Sequence, residues 1–235
     1  MSPCVRTRAP GCLRCNVISW FTVMSRDARR VDVADGAVWL KAFLPPSDQE
    51  AIAARAMALL DGPHGGYVPT VRGGGRMRVR MLCLGRHWNP LTYRYESTRA
   101  DHDGAPVEPI PSEWVSLAGA AAAAAGYPGV RPDVCLINWY GGDGRMGLHQ
   151  DKDESPASLA AGLPIVSFSL GDTARFLFGG LRRRDPIDTI LLESGDAFVF
   201  GGAARLRYHG VARTMPSVTT ALQIGGRVNL TFRVF

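Results

Sequence analysis

The chain has 235 residues, of which 46% are hydrophobic, and this is enough for one domain with a sizeable core. No stretch approaches the roughly 18 apolar residues of a membrane span, so we expect no membrane association. The formal net charge is +6, carried by 27 basic residues of which only Lys41 and Lys152 are lysines. A basic surplus favours a polyanionic partner such as nucleic acid, although charge alone says little about specificity.

Residues 1 to about 30 differ in composition from the rest of the chain. They are rich in arginine, poor in acidic residues and contain three of the five cysteines. Cys12 and Cys15 have the spacing of half a zinc site, but no second half follows. We predict a disordered or mis-assigned leader, a functional start at Met24 and, because the cysteines are unpatterned, a reducing cytoplasmic setting.

The next segment, residues 36–60, predicts a strand and a helix that belong to the scaffold. Residues 36–44 predict a strand, which Pro45 and Pro46 end. Ser47 and Glu50 then match a capping box, in which the serine caps the helix start and the glutamate reaches back. The apolar stripe of this helix consists of Ile52, Ala56, Leu59 and Leu60.

Three glycines at 73–75 introduce a predicted strand in which arginine alternates with apolar residues. Arg76, Arg78 and Arg80 share one face of it. The stretch is either an exposed edge strand protected by charge or a binding element whose arginines track phosphates. The residues alone leave both interpretations open.

Aromatic and basic side chains alternate in residues 85–95. Trp88, Tyr93 and Tyr95 lie within eight residues of one another. Aromatics beside basic groups suit stacking on nucleobases, although burial in a core is the commoner reason for such residues. An alanine-rich helix is then predicted from Pro111 to Ala125.

A candidate metal site begins at His149. A His-x-Asp pair in extended backbone places the side chains of His149 and Asp151 on one face, because side chains alternate along a strand. Two histidines and one carboxylate form the facial triad that holds Fe(II), and His209 supplies a second imidazole. On the tripeptide alone, a surface histidine beside solvated acids is the commoner explanation.

The C-terminal strand, residues 227–234, alternates strictly between polar and apolar side chains. Its polar face is either solvated, as in many antiparallel sheets, or turned into a barrel. Inside a barrel each guanidinium would pair with a carboxylate, and a dicarboxylate such as 2-oxoglutarate would use two. The polar positions are Arg227, Asn229, Thr231 and Arg233.

Together these motifs resemble the AlkB family of Fe(II)/2-oxoglutarate-dependent nucleic-acid dealkylases, bacterial AlkB type. The resemblance is close over residues 130–235 and loose over 36–129. It also takes in a strand over residues 133–140, the segment 164–171, and the run of Phe176, Phe178, Gly179, Gly180 and Leu181.

The resemblance implies a mainly β (α+β) fold, a double-stranded β-helix or jelly-roll with N-terminal helices and a substrate-covering hairpin region. It divides the chain into the leader (1–30), an N-terminal scaffold and nucleotide-recognition lid (31–129), and a dioxygenase jelly-roll core (130–235).

The resemblance also implies roles for individual residues. The Fe(II) ligands and catalytic residues would be His149, Asp151 and His209. The 2-oxoglutarate residues would be Arg227, Tyr140 and Asn229, with Arg233 and Asn138 nearer the metal and Asp151. The substrate contacts would be Trp88, Tyr93 or Tyr95, Asp153 at an exocyclic amino group, Arg183, Arg76 and Arg78.

The implied activity is oxidative demethylation of N-alkylated bases such as 1-methyladenine and 3-methylcytosine. It uses O2, converts 2-oxoglutarate to succinate and CO2, and releases formaldehyde. The implied partner of this monomer is single- or double-stranded DNA, and RNA is a further candidate. Two alternatives are a dioxygenase of the same scaffold acting on RNA or protein, and a noncatalytic nucleic-acid-binding module.

Overall fold

The computed structural model describes residues 28–217 and 225–235. Most of the predicted leader, including Cys12, Cys15 and Met24, lies outside the described residues. The helices within these ranges are α1 Pro46–Leu60, α2 Ser112–Ala124 and α3 Pro156–Ala160, with a 3-10 turn at Gly202–Ala204. The strands within these ranges are β1 Arg29–Ala34, β2 Ala37–Lys41, β3 Arg80–Leu84, β4 His87–Asn89, β5 Arg94–Glu96, β6 Val134–Tyr140, β7 Met146–His149, β8 Ile165–Gly171, β9 Thr173–Phe178, β10 Asp188–Leu192, β11 Ala197–Phe200, β12 His209–Met215 and β13 Arg227–Arg233.

These strands form two main antiparallel sheets and a small hairpin. The large sheet has seven strands in the order β1-β2-β11-β8-β13-β6-β3, and the small sheet has four in the order β10-β9-β12-β7. Strands β4 and β5 pair separately, and we call them the lid hairpin. This architecture confirms the predicted mainly β jelly-roll. The large sheet takes strands from both sides of the predicted division at residue 130, so scaffold and core share it.

Two apolar layers hold the sheets in place. On its outer face the large sheet packs against α1 and α2, where Trp114 and several alanines are buried. On its inner face it packs against the small sheet through phenylalanines of both sheets. The alanine run of α2 allows a close approach, because a methyl group keeps the helix near the sheet. The facing phenylalanines are Phe176, Phe178, Phe198 and Phe200.

Strand β13 lies between two neighbours, β6 and β8, and all seven of its residues are buried. Its even positions, Val228, Leu230 and Phe232, belong to the helix-side core. Its odd, polar positions line the space between the two sheets. Of the two interpretations of this alternation, the barrel interior is therefore correct and the solvated face is wrong.

The start of α1 differs from the predicted capping box. The N-cap is Pro45, Pro46 occupies the first turn, and no side chain caps the helix. Proline suits this position because its missing N–H would have no partner there and its fixed φ is already helical. Gln49 instead ties the helix start to the preceding segment, since its Nε2 donates to the Leu44 carbonyl oxygen at 2.8 Å.

The predicted strand over residues 76–81 begins later than expected. Continuous pairing starts at Arg80, whereas Arg76 and Arg78 form only isolated bridges, to Thr70 and Arg145. The predicted alternation holds even so, because Arg76 and Arg78 are exposed. Strand β1 begins at Arg29, within the last two residues of the predicted leader. No helix among residues 28–217 and 225–235 is long and apolar enough to cross a membrane.

Candidate active site

The small sheet brings the two histidines of the predicted metal triad together. His149 ends β7 and His209 begins β12, and the two residues are directly opposite in the antiparallel register. Their ring centroids are 4.4 Å apart. Asp151 follows β7 by two residues, and one ligand atom from each of the three side chains lies within 4.8 Å of the others.

Main-chain contacts fix the orientation of both imidazoles. Nδ1 of His149 donates to the Gly147 carbonyl oxygen at 2.9 Å, and Nδ1 of His209 donates to that of Arg207 at 3.1 Å. Because a carbonyl oxygen only accepts, Nδ1 carries the proton and Nε2 keeps its lone pair. The Nε2 atoms lie 3.6 Å and 3.5 Å from the oxygens of Asp151. Burial, followed by the adjacent His209, lowers the pKa of His149 to about 4, which keeps its imidazole neutral near pH 7.

The carboxylate of Asp151 is ionised and partly free. Burial alone would raise its pKa, but the Arg233 guanidinium and the two histidines outweigh this and hold the pKa well below the usual range. Nη2 of Arg233 is 2.7 Å from Oδ2, an ion pair. The alignment is not that of a hydrogen bond, and the buried Oδ2 has no hydrogen-bond partner among residues 28–217 and 225–235. Two imidazoles and one carboxylate are the donor set that suits Fe(II).

Arg227 marks the other end of the site. Its side chain is 1% exposed, and its Nη2 donates to Oγ of Ser169 at 2.9 Å. Nε and Nη1 have no hydrogen-bond partner, and no carboxylate pairs with Arg227 in the described part of the chain. The ring of Tyr140 lies 5.0 Å from the guanidinium carbon. Since an unpaired buried charge is costly, this guanidinium fits an incoming carboxylate such as that of 2-oxoglutarate.

The floor between these ends is built by asparagine and serine side chains. Nδ2 of Asn229 donates to Oγ of Ser167 at 2.7 Å and to the carbonyl oxygen of Phe168 at 2.9 Å. Its Oδ1 accepts from Thr231 at 2.8 Å. Both the nitrogen and the oxygen of the Asn229 amide are therefore hydrogen-bonded to other groups of the protein. Asn138, the other asparagine, has a buried Oδ1 without a partner.

Both ends open into one cavity of about 460 Å³. Its walls are mainly apolar, and its polar groups come from β6, β8, β12, β13, the lid hairpin region, and the end of β7 with the segment that follows it. Such a cavity, with a few convergent polar groups, is typical of small-molecule sites. The predicted site residues that line it are Trp88, Tyr93, Asn138, Tyr140, His149, Asp151, Asp153, His209, Arg227, Asn229 and Arg233.

The lid hairpin brings Trp88 to the mouth of this cavity. The indole Nε1 of Trp88 donates to Oδ2 of Asp153 at 2.8 Å, and the ring centroids of Trp88 and Tyr93 are 5.9 Å apart. Tyr93 is 39% exposed. Burial raises the pKa of Asp153, and the hydrogen bond from Trp88 opposes this shift. An aromatic wall beside a carboxylate suits a flat ligand that carries hydrogen-bond donors.

Tyr95 has a different position from Tyr93. It is buried, does not line the cavity, and its hydroxyl donates to Oε1 of Glu154 at 3.1 Å. The same hydroxyl accepts from Nη1 of Arg233 at 2.6 Å. Of the two tyrosines left open by the sequence, only Tyr93 has access to a ligand in the cavity, because the Tyr95 hydroxyl is held by Arg233 and Glu154.

The remaining predicted substrate contacts lie outside the cavity. Arg76 and Arg78 line a neighbouring groove that shares Met77 with it. Nη1 of Arg78 donates to Asp143 at 2.7 Å, in an exposed ion pair. Nη1 of Arg183 donates to the carbonyl oxygen of Leu148 at 2.7 Å, next to the metal strand.

The sequence did not identify three charged residues that surround the site. Lys152 lines the cavity, whereas Glu154 and Arg205 are buried behind it. Nη2 of Arg205 donates to Oε2 of Glu154 at 2.8 Å. The Glu154 side chain is fully buried although it directly follows the metal-ligand segment. Its partner is 51 positions away, so only their opposite charge could have suggested the pair.

Comparison with known proteins agrees with this geometry. A model of the 2OG-Fe(II) oxygenase superfamily matches residues 36–233. The chain is 40% identical over 225 residues to the DNA N(6)-methyladenine demethylase ALKBH1C of Arabidopsis thaliana, covering 86% of this chain and 49% of the relative. It is 44% identical over 164 residues to the alpha-ketoglutarate-dependent dioxygenase AlkB of Escherichia coli (strain K12), covering 68% and 73%.

A solved structure supports the same relationship. The structure of OsALKBH1 superposes with a TM-score of 0.81 at 40% identity, covering 88% of this chain and 100% of that one. The chain spans about half the length of the Arabidopsis relatives it matches. The resemblance to AlkB proteins is confirmed, and the match over residues 36–233 means that the chain belongs to the 2OG-Fe(II) oxygenase superfamily.

Proposed function

We propose that the chain is an Fe(II)- and 2-oxoglutarate-dependent dioxygenase that removes methyl groups from nitrogen atoms of nucleobases. The observation that carries the proposal is that one cavity contains the His149, Asp151 and His209 cluster together with the unpaired guanidinium of Arg227. The three ligand atoms at one end can bind a metal ion, and the guanidinium of Arg227 at the other end can bind a carboxylate.

Each residue around the cofactors has a separate role in this proposal. His149, Asp151 and His209 hold Fe(II), and Arg227 binds the distal carboxylate of 2-oxoglutarate. Asn138 and Tyr140 line the space between the two, whereas Asn229 holds the floor through Ser167. When bound, Fe(II) and 2-oxoglutarate allow O2 to oxidise the methyl group, which leaves as formaldehyde while 2-oxoglutarate becomes succinate and CO2.

The residues at the mouth of the cavity favour a nucleobase as the second substrate. Trp88 offers a stacking face, Tyr93 forms the adjoining wall, and Asp153 offers an acceptor to an exocyclic amino group. Arg76, Arg78 and Arg183 would contact backbone phosphates of the same strand. A carboxylate between aromatic walls favours a cationic base, so 1-methyladenine and 3-methylcytosine suit this mouth.

A second candidate substrate comes from the relatives. Two Arabidopsis proteins that are 40% and 38% identical to this chain bear the name DNA N(6)-methyladenine demethylase. N6-methyladenine is neutral, and its methyl group is on the exocyclic nitrogen. It would therefore gain less from the Asp153 charge than 1-methyladenine does, and comparing the two lesions tests the role of that residue.

The test is mass spectrometry of single-stranded DNA and RNA oligonucleotides, each with one 1-methyladenine, 3-methylcytosine or N6-methyladenine. Each is incubated with the protein, Fe(II), ascorbate and 2-oxoglutarate, next to a His149→Ala control. We expect the loss of one methylene mass from a base only with the intact triad.

Three outcomes separate this proposal from its alternatives. Succinate that forms with the intact triad, without loss of mass from any oligonucleotide, would retain the dioxygenase and reject the nucleobase substrate, leaving a protein substrate. Oligonucleotide binding without succinate would indicate a noncatalytic module. Activity that persists in Trp88→Ala would reject the stacking wall. The cytoplasmic setting and the monomeric state stay predictions.

A further inference from the structure

A buried ionic cluster lies directly behind the metal ligand Asp151. The side chain of Glu154 is fully buried, and its two oxygens accept hydrogen bonds from Arg205 and from the hydroxyl of Tyr95. Arg233 connects this group to Asp151, since its Nε is 3.5 Å from Glu154 and its Nη2 is 2.7 Å from Asp151. Glu154, Arg205 and Tyr95 do not line the cavity.

Arg205 also fixes the main chain around the metal ligand. Its Nη1 donates to the carbonyl oxygen of Asp151 at 2.5 Å, and its Nε donates to that of Leu163 at 2.9 Å. The guanidinium therefore has a partner for each of its three nitrogens. With two guanidinium groups and two carboxylates, the cluster is neutral, which is the condition under which buried charges are tolerated.

The orientation of Arg233 requires an explanation. An arginine next to a carboxylate ordinarily forms two parallel hydrogen bonds with it. Here Arg233 approaches Asp151 without any aligned hydrogen bond, and its Nη1 donates to Tyr95 at 2.6 Å instead. The Oδ2 lone pair of Asp151 therefore stays available, although its charge is balanced.

We propose that Tyr95, Glu154 and Arg205 are positioning residues that keep Arg233 from forming the two-bond pair with Asp151, so that the carboxylate can bind the metal ion. Tyr95 restrains the guanidinium through its hydroxyl, and Glu154 restrains it through charge. Arg205 in turn keeps Glu154 in place. This inference rests on the metal site of the proposed function and adds residues that determine its affinity.

The experiment measures Mn(II) binding by titration calorimetry, with the full chain and without 2-oxoglutarate or nucleic acid. In Tyr95→Phe the freed guanidinium can form the two-bond pair with Asp151, so Mn(II) affinity should fall about 10-fold, in the range known for partners of metal ligands. The matched control is Tyr67→Phe. Tyr67 also donates its hydroxyl to a carboxylate, Asp101, at 2.6 Å, but it does not contact this cluster.

A double-mutant cycle separates positioning from general loosening of the fold. In an Arg233→Met background the competing guanidinium is gone, so adding Tyr95→Phe should leave Mn(II) affinity unchanged. Thermal midpoints of Tyr95→Phe and Tyr67→Phe should fall by similar amounts, because each substitution removes a hydroxyl with two partners. These partners are Glu154 and Arg233 for Tyr95, and Asp101 and His87 for Tyr67.

The outcomes distinguish this inference from the proposed function. If the unsubstituted chain binds no Mn(II), the metal site itself fails. If it binds Mn(II) and Tyr95→Phe binds it equally well, only the positioning role fails. An equal loss of affinity in Tyr67→Phe, or a persisting effect of Tyr95→Phe without Arg233, would also overturn the inference.

Discussion

The metal end of the cavity and its mouth differ in how their side chains are held. At the metal end, Asp151, His209 and Arg233 are all less than a tenth exposed, and main-chain carbonyls or buried charges orient them. At the mouth, Tyr93 is 39% exposed, and the indole of Trp88 is oriented by a hydrogen bond to Asp153.

The difference follows from the elements that carry these residues. At the metal end, His209 and Arg233 lie on β12 and β13, which have strand neighbours on both sides, whereas His149 lies on the edge strand β7. The mouth includes the hairpin of β4 and β5, whose strands are only three residues long, and a two-stranded hairpin is marginally stable by itself. A rigid end suits chemistry that depends on fixed geometry, and a lightly held mouth suits the entry of a polymer. Substitutions at the two ends should therefore have effects of different kind and size.

The largest effect is expected at the metal end. His209→Ala removes one of the three ligands, so metal binding and succinate formation should fall to the level of a metal-free sample. The measurement is metal content together with 2-oxoglutarate turnover. His64→Ala is the matched control, because that histidine is exposed and its imidazole bonds only to Asp103 in the described part of the chain. Retention of a stoichiometric metal by His209→Ala would show that the triad is not the site.

The next effect concerns Arg227 at the cofactor end. Arg227→Met should raise KM for 2-oxoglutarate about 100-fold, since a charged hydrogen-bond pair contributes about 3 kcal/mol. The thermal midpoint should stay level or rise, because methionine replaces an unpaired buried charge with an apolar group. An unchanged KM in steady-state kinetics would remove 2-oxoglutarate from this end of the cavity.

A smaller and selective effect is expected at the mouth. Asp153→Asn keeps an oxygen acceptor for the indole of Trp88 but loses the negative charge. Turnover of a cationic 1-methyladenine should fall about 10-fold, the scale of one charge-assisted hydrogen bond, while that of neutral N6-methyladenine changes less. Parallel kcat/KM measurements on the two lesions check this. An equal loss on both would mean that Asp153 does not sense the charge of the base.

The smallest effect is expected in the groove beside the mouth. Arg76→Ala should weaken oligonucleotide binding and lower the salt slope of log Kd by about 0.7 for a single strand, because one phosphate contact is lost. Arg78→Ala should have less effect, since that side chain is paired with Asp143. Binding isotherms at several salt concentrations give both slopes. A larger change in the salt slope for Arg78→Ala than for Arg76→Ala would mean that Arg78, and not Arg76, makes the phosphate contact.

Much of the site was predictable because its chemistry depends on residue types at fixed spacing. The His149-x-Asp151 pair and the polar face of β13 follow from the period of two in extended chain. The distant His209 was identified through the resemblance as well as through its residue type. Because β7 pairs with β12, His209 lies opposite His149.

Local sequence patterns predicted the structure less reliably where contacts with neighbouring residues determined it. Ser47 looked like an N-cap, yet the helix begins at Pro46 because proline fits the first turn. Tyr93 and Tyr95 look equivalent in the sequence. Only the burial of Tyr95 against Arg233 and Glu154 separates their roles.

The sequence by itself determined the His149-x-Asp151 pair and the arginines of β13, because a short motif and a period of two encode them. Its resemblance to the AlkB family added the jelly-roll class and the role of His209. The tertiary structure alone decided that the polar face of β13 points inward, that Glu154 is buried against Arg205, and that Arg227 has no carboxylate partner among the described residues. These facts depend on which strands are neighbours. Residues far apart in the chain come into contact only when the two sheets pack together, and a local sequence pattern cannot show that contact.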